Sequence, residues 1–528
     1  MGQHAVRDGK EGDRGKHQDQ ARGGESERRL HRAHLISLPA RLGYVSRLSR
    51  PCGLVSFSED GYGWPTRRRT PSRGSDMSSN TEERENPQGE SETMSLEAAL
   101  SLGVEKQREG RLKEAAYIYL QILAAVPDNV DALHLLGVAE HQAGCSESAL
   151  KLIGRALALA PEHADALGNR GNVLQSLRRL DEAEADYRRA LDLRPDDANT
   201  LSNLGTVLRA RGDLEGAVAM FRKVIAHKPD HAPAWQNLGG ALQTLERGPE
   251  ALEAFREAAR LAPESADMFV DLGAALYGDG RIQEAAEMYR RCLALSPNEA
   301  RAKHLLAACG ETSAPVRASD DYVRAVFDHY APTFDTSLVR LEYRGPQLVA
   351  QAVDEIASVL PAKPVVLDAG CGTGLCGPLV RARAGVLVGV DLSAGMVALA
   401  RERGVYDELV VEELTSYLRG HASSYDLIIS ADTLVYFGDL QEILVAAAAA
   451  LRPGGALIFT LEYADPGEAP AGYRLNPHGR YSHTRGYVAE LFADAGLVEP
   501  EIREISTRKE SKQWVPGWLV RAQRPALP

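Results

Sequence analysis

The sequence predicts two architectures in one chain: an all-α solenoid of repeated helix pairs, then an α/β Rossmann-like domain with a doubly wound sheet of seven strands. Three observations carry this. Prolines stand at 127, 161, 195, 229, 263 and 297, always at one spacing, and glycines at 103, 137, 171, 205, 239 and 273 keep the same step. After position 365, short apolar runs alternate with helical stretches, the pattern of a sheet with helices on its faces. The first of these runs ends in Asp368 and opens into Gly370, Gly372 and Gly374. Glycines at alternate positions let the backbone turn tightly and approach a ligand with no Cβ in the way.

Composition bounds the function loosely. The 528 residues are 44% apolar and 25% charged, as in ordinary globular protein, with a net charge of −12 that gives no electrostatic footprint for nucleic acid. Six cysteines lack framework spacing, and no CxxC pair or Cys/His cluster suggests a metal, so a reducing, cytoplasmic setting is expected. The longest apolar run found, residues 443–451, is far short of the ~20 residues that span a bilayer.

Residues 1–93 are expected to be a disordered polar extension. They lack long apolar periods, and residues 1–75 hold 15 Lys+Arg against 8 Asp+Glu, an excess of seven positive charges. The extension fits a basic arm, a dispensable tail or a misplaced start, since Met77 and Met94 both stand just ahead of the first repeat.

Residues 94–310 hold six units and a capping helix. Alanines at 115, 149, 183, 217, 251 and 285 form a third ladder, and large residues at Tyr119, Ile153, Tyr187, Phe221, Phe255 and Tyr289 a fourth. Gly and Ala mark where two helices approach closely. The large residue is expected to fill the gap between neighbouring units, and Pro to stop each second helix. The pattern resembles the tetratricopeptide repeat. Asn169, Asn203 and Asn237, in the same register, fall on the first helix of their units and are followed by Asp271. Amide side chains both donate and accept, which suits the backbone of an extended peptide. Similar asparagine ladders occur in the superhelix of O-GlcNAc transferases, although asparagine is also common here in repeats without a peptide ligand.

Residues 311–320 are expected to be a linker and 321–528 the α/β domain. Its strands are expected near 365–368, 385–390, 408–411, 425–430, 456–461, 501–507 and 517–522, the last two as an antiparallel hairpin. Ligands in such sheets sit at the carboxyl ends of the strands.

The motif Asp368-x-Gly370-x-Gly372-x-Gly374 resembles the first motif of class I S-adenosylmethionine-dependent methyltransferases. Asp391, at the end of the second strand, matches the acid that holds both ribose hydroxyls there. The resemblance implies that Met396 flanks the adenine, that Glu413 or its neighbour Glu412 meets the adenine amine, and that Leu451-Arg452-Pro453-Gly454-Gly455 precedes the fifth strand. The segment around Tyr330, Phe-Asp-x-Tyr-Ala-x-x-Phe-Asp, resembles the lid of small-molecule and protein methyltransferases, where an aromatic residue closes over the cofactor; Tyr330 is the candidate for that role, with a core tyrosine as the alternative. With the repeats added, the whole looks like bacterial predicted methyltransferases that carry tetratricopeptide repeats.

The run Gly372-Thr373-Gly374-Leu375-Cys376-Gly377 also fits the dinucleotide fingerprint, which leaves an NAD-dependent dehydrogenase as a rival. Asp368, if aimed into the loop, repels a pyrophosphate and favours a cationic cofactor. The expected reaction is displacement at the methyl carbon by a nitrogen or oxygen acceptor, without a metal, on a protein or peptide partner recruited by the repeats. Where the acceptor must lose a proton, Asp432, Tyr436 and His483 are the candidates. A non-catalytic scaffold that only binds the cofactor is the alternative. The Asp/Asn-Pro-Pro-Tyr/Phe run of amine-reading methyltransferases is absent; Ala431 to Tyr436 stands there instead.

Overall fold

The computed structural model describes residues 35–39, 57–58, 61–62, 91–510 and 512–526. Most of the extension expected to be disordered lies outside the described residues. Within it, Leu35–Pro39 pairs antiparallel with Ser91–Ser95. The chain falls into two compact units, residues 1–195 and 196–528. The division comes between the third and fourth repeats, not at the linker.

Each repeat is a pair of helices, for example Leu96–Arg108 with Leu112–Ala125, and Ala266–Gly278 with Ile282–Leu295. The glycine ladder has a direct steric cause. A Cβ placed on Gly103 would lie 2.4 Å from the Tyr119 ring, and on Gly273 2.5 Å from the Tyr289 ring; Gly137, Gly171, Gly205 and Gly239 meet Ile153, Tyr187, Phe221 and Phe255 in the same way. The large residue on the second helix therefore packs on the first helix of its own unit, and Tyr119 also shares a core cluster with Leu133 and Leu136 of the next unit. The capping helix forms as Ala300–Ala308.

The α/β domain is built on β1 (Val365–Ala369), β2 (Val386–Asp391), β3 (Glu408–Val411), β4 (Tyr425–Ser430) and β5 (Leu451–Tyr463), all parallel. A short hairpin follows, β6 (Tyr473–Leu475) with β7 (Tyr481–His483), and then the long pair β8 (Glu501–Glu510) and β9 (Gln513–Gln523). The principal order is β3-β2-β1-β4-β5-β9-β8, with β9 antiparallel to β5. β7 joins the far end of β5 through Ser482 and His483. β4 is buried at every position, as an interior parallel strand must be. The helices Gln441–Ala450 and Arg485–Asp494 pack on one face around Phe459 and Phe492, and Gly345–Glu355 on the other around Val349 and Val353.

The linker is not free. Ala318 N–H donates to Tyr436 O at 2.8 Å, Gly438 and Asp439 N–H both donate to Val316 O, and Tyr481 Oη donates to Pro315 O at 2.7 Å. The cap is held as firmly: the His304 ring stacks on Tyr322 at 3.9 Å and its Nε2 bonds Gly479 O at 2.8 Å. All of these residues lie in the second unit.

Candidate functional site

At the carboxyl ends of β1, β2 and β4 a cavity of about 810 Å³ opens. Its floor is the glycine loop. Gly370 takes φ 75°, and a Cβ there would lie 2.1 Å from Thr433 Oγ1; Gly374 takes φ 83°, and a Cβ would meet Tyr406 at 2.9 Å. Gly372 differs: at φ 54°, nothing lies within 4 Å of an added Cβ, so its backbone is bare toward open space. Two of the three motif glycines serve close packing and the middle one leaves room for a ligand.

Asp391 sits beside that opening. Gly372 N–H donates to one carboxylate oxygen and Ser393 N–H to the other, each at 2.9 Å. Burial raises its pKa, against the pull of those N–H groups. Each oxygen keeps a further acceptor direction.

Asp368 does not border the cavity, which corrects the expectation that it aims into the loop. It is 1% exposed; one oxygen accepts from Tyr406 Oη at 2.7 Å and the other has no partner among the described residues. The charge argument against a pyrophosphate therefore falls. Sequence reasoning misses Tyr406, although it lies under Gly374, Gly377 and Gly389 as well as bonding Asp368.

Met396 is fully buried and off the cavity wall, so it does not flank a ligand there; Leu392 and Leu414 do border the cavity. Glu413 borders it too, but its carboxylate caps the helix Leu414–Gly420 by accepting from Thr415 and Ser416 N–H at 3.0 and 2.8 Å. Burial pushes its pKa up, yet those donors hold it below the usual range. Glu412 is the exposed neighbour on the same wall.

The lid forms from the helix Asp320–Tyr330, a short 3-10 turn and the helix Phe334–Arg340. Tyr330 borders the cavity and is 52% exposed. Two aspartates of the segment latch it down. Asp328 accepts from Ser393 Oγ at 2.5 Å and Gly395 N–H at 3.2 Å. Asp335 accepts from Thr373 Oγ1 at 2.6 Å and pairs with Arg403 at 2.5 Å.

The three proton-transfer candidates separate. His483 is fully buried, off the cavity wall, with Nε2 on Gly438 O at 3.0 Å and burial lowering its pKa to about 4; it is a structural residue. Asp432 borders the cavity at φ 54°, but Thr460 Oγ1 and Arg508 Nη1 occupy its two oxygens at 2.7 Å each. Tyr436 borders the cavity with its pKa pushed up by burial to about 12. Behind Asp432 lies a cluster the sequence did not reveal. Arg508, 5% exposed, also pairs with Glu462 and with Glu510 at 2.7 Å, and Arg480 bonds the same two glutamates at 2.6 Å each. Burial works against the Glu462 anion, but the two arginines hold its pKa down to about 2.

Of the asparagine ladder, Asn169 belongs to the first unit, where its amide nitrogen contacts His134 Nε2 at 2.8 Å, while Asn203 and Asn237 belong to the second. Among the described residues no group of His, Cys, Asp and Glu could hold a metal ion, and no helix is long and apolar enough to cross a membrane.

Residues 367–459 match the family model described as a methyltransferase domain, and residues 162–230, 202–266 and 241–300 match tetratricopeptide repeat models. The chain is 31% identical over 218 residues to methyltransferase-like protein 27 of Homo sapiens, covering 38% of this chain and 82% of that protein. It is 27% identical over 117 residues to the ubiquinone biosynthesis O-methyltransferase of Saccharophagus degradans, covering 21% of this chain and 49%, about half, of that relative. Among solved structures, one titled as a functional characterization of Pseudomonas aeruginosa pilF covers 40% of this chain and 96% of its own, with 20% identity and a TM-score of 0.37. The chain belongs to the methyltransferase family and carries tetratricopeptide repeats.

Proposed function

We propose that this methyltransferase takes S-adenosylmethionine as its methyl donor and passes the methyl group to a nitrogen or oxygen acceptor, while the repeats recruit a protein substrate or partner. The observation that carries the proposal is the pairing of a bare Gly372 backbone with the Asp391 carboxylate at the mouth of β2. A carboxylate fixed by two N–H groups, with an acceptor direction left on each oxygen, fits a vicinal pair of ribose hydroxyls. Leu392 and Leu414 offer an apolar edge for a base, with Glu412 or Glu413 near it. A volume of about 810 Å³ lies within the range of ligand pockets and leaves room for an acceptor beside a nucleoside. When bound, this cofactor supplies an electrophilic methyl group on a cationic sulfur.

The chain's own part is orientation and exclusion of water. The Asp328 and Asp335 latches hold the lid against the glycine loop and the β2 turn. Asp432 is neutralised by Arg508 and anchors the loop after β4, which disfavours it as a general base. Tyr436, kept protonated, serves as a hydrogen-bond donor toward the acceptor. Alignment rather than proton abstraction is then the main contribution to rate. Calorimetric titration of the full chain with S-adenosylmethionine and, separately, with NADH tests this. Binding of the former alone is expected; binding of NADH alone would reverse the reading in favour of a dehydrogenase.

A further inference from the structure

The wall of the cavity away from the glycine loop comes from the repeats, through Gln243, Tyr277, Tyr289, Arg301 and Leu305. One residue there breaks the rule of its own ladder. In the first and third units the packing tyrosine is satisfied by a glutamine on the preceding helix: Tyr119 Oη donates to Gln107 Oε1 at 3.0 Å, and Tyr187 Oη to Gln175 Oε1 at 3.0 Å and Asn172 Oδ1 at 2.7 Å. The fourth and fifth units use Phe221 and Phe255, which have no hydroxyl to satisfy. In the sixth unit the tyrosine returns without its partner. Tyr277 stands where the glutamine would be, and the fully buried Tyr289 hydroxyl has no hydrogen bond among the described residues. An unpaired buried hydroxyl costs stability that phenylalanine would spare, so a native example calls for a partner from elsewhere.

We propose that this end of the cavity seats the methyl acceptor, and that the acceptor is a small molecule with a flat ring and oxygens at its edge, one of which accepts a hydrogen bond from Tyr289. The proposal rests on the transferase reading of the same cavity. Tyr277, Tyr322, Phe327 and Tyr436 supply ring surface around the space, with Phe327 edge-on to Tyr436 at 5.3 Å. Arg301, steadied by Asp271 at 3.1 Å, adds a cation, and Gln243, His478 and Arg480 also line the cavity. Apolar walls with a few convergent polar groups orient a small ligand. A peptide strand would bring an N–H and a C=O per residue, and the ring faces of Tyr277, Tyr322, Phe327 and Tyr436 would leave unpaired those that lie against them. On this reading what the repeats recruit is a partner, and the substrate enters the cavity as a free molecule.

The test uses the full chain and gallate, a flat ring bearing a carboxylate and phenolic oxygens. Protein saturated with S-adenosylhomocysteine is titrated with gallate as wild type, as Tyr289→Phe, and as Tyr277→Gln, which restores the glutamine of the first and third units. Saturable binding to wild type is expected, weakened roughly fivefold in each variant, the worth of one hydrogen bond. Affinity for S-adenosylhomocysteine should stay as in wild type and the melting profile should match or exceed it, since the variants remove or pair the unpaired hydroxyl, which shows that the variants fold. Equal gallate affinity in wild type and Tyr289→Phe overturns the proposal, as does an absence of gallate binding to protein that binds S-adenosylhomocysteine. Failure of S-adenosylhomocysteine itself to bind wild type would instead sink the transferase reading beneath it.

Discussion

Replacing Asp368 by asparagine should stabilise the α/β domain at neutral pH, and the gain should shrink as the pH falls. Asp368 is 1% exposed, with one oxygen on Tyr406 and the other unpaired among the described residues. Burial, against the Tyr406 hydrogen bond and with help from the Asp391 charge, raises its pKa from 3.8 to about 7. Between those two values the folded protein holds a proton that the unfolded chain has released. Its contribution to stability is therefore most favourable below about 3.8, falls as the pH rises, and levels off above about 7. A gap of about three pH units at ~1.4 kcal/mol each sets an upper limit of ~4 kcal/mol. The asparagine amide would occupy the unpaired position and give back ~1–3 kcal/mol. The net gain is then ~1–3 kcal/mol at pH 8 and close to nothing at pH 5. Because a chain of several cooperative units has no single unfolding transition, the readout is hydrogen exchange of the β1 and β2 amides under urea at both pH values. A difference between wild type and Asp368→Asn that is the same at pH 5 and pH 8 would show that the carboxyl does not titrate in the folded state, and the reasoning would fail.

Three further outcomes are expected. Asp391→Ala should weaken S-adenosylmethionine binding by ~100-fold or more, since two hydrogen bonds to a charged group at ~1.5–3 kcal/mol each are lost; wild-type affinity by calorimetry would remove Asp391 from the ribose role. Arg508→Met strands Asp432 and Glu462 without their shared partner and should cost ~3–5 kcal/mol in the hydrogen exchange of the β4 and β5 amides under urea, with a loss under ~1 kcal/mol contradicting the buried-cluster account. Asp335→Asn breaks the pair with Arg403, a half-exposed contact worth ~0.5–1 kcal/mol, so stopped-flow release of S-adenosylhomocysteine should quicken by about two- to fivefold. No change in release would mean that the latch does not govern the lid.

The parts legible in the sequence are those written at short range. Three ladders of Pro, Gly and Ala at one spacing fix the helix pairs, because each unit repeats the same contact, a glycine under the large side chain of the next helix. The alternation of strands and helices and the Asp-x-Gly-x-Gly-x-Gly motif are legible for the same reason: strand, turn and helix are neighbours in the chain. The errors come from long-range partners. Asp368 reads as a ligand-facing charge because nothing near it in the chain announces its partner Tyr406. Met396 sits at the expected spacing, but spacing does not say which face of its helix meets the core. His483 reads as one of three candidates for proton transfer beside a structural alternative, and its ring is buried against Gly438 O. The Arg508 cluster joins residues from β5, the β6–β7 turn, β8 and the loop after β4, and no window of sequence contains more than a fraction of it.

The linker is where local reading misleads most, and its correction changes how the cavity is understood. Residues 311–320 hold Ser, Thr, Ala and Pro beside charged residues, a composition that fits a flexible connection as well as a strap. What decides between them is the destination of the backbone hydrogen bonds. Val316 O takes two N–H groups from Gly438 and Asp439, and Ala318 N–H goes to Tyr436 O, so the strap is sewn to the loop after β4. A tether would leave those groups to water and let the sixth repeat drift; a strap places Tyr277, Tyr289 and Arg301 on the wall of the cavity that Gly372 and Asp391 open. His304 adds a second fastening by bonding Gly479 O in the β6–β7 turn. The same stretch that reads as a domain boundary thus joins the last repeats to the loop bearing Tyr436. A substitution that loosens it, such as Tyr481→Phe, removes the bond to Pro315 O without touching the glycine loop. It should therefore weaken gallate binding while leaving S-adenosylhomocysteine affinity unchanged, and a parallel loss of both would mean that the strap supports the whole domain and not the acceptor end alone.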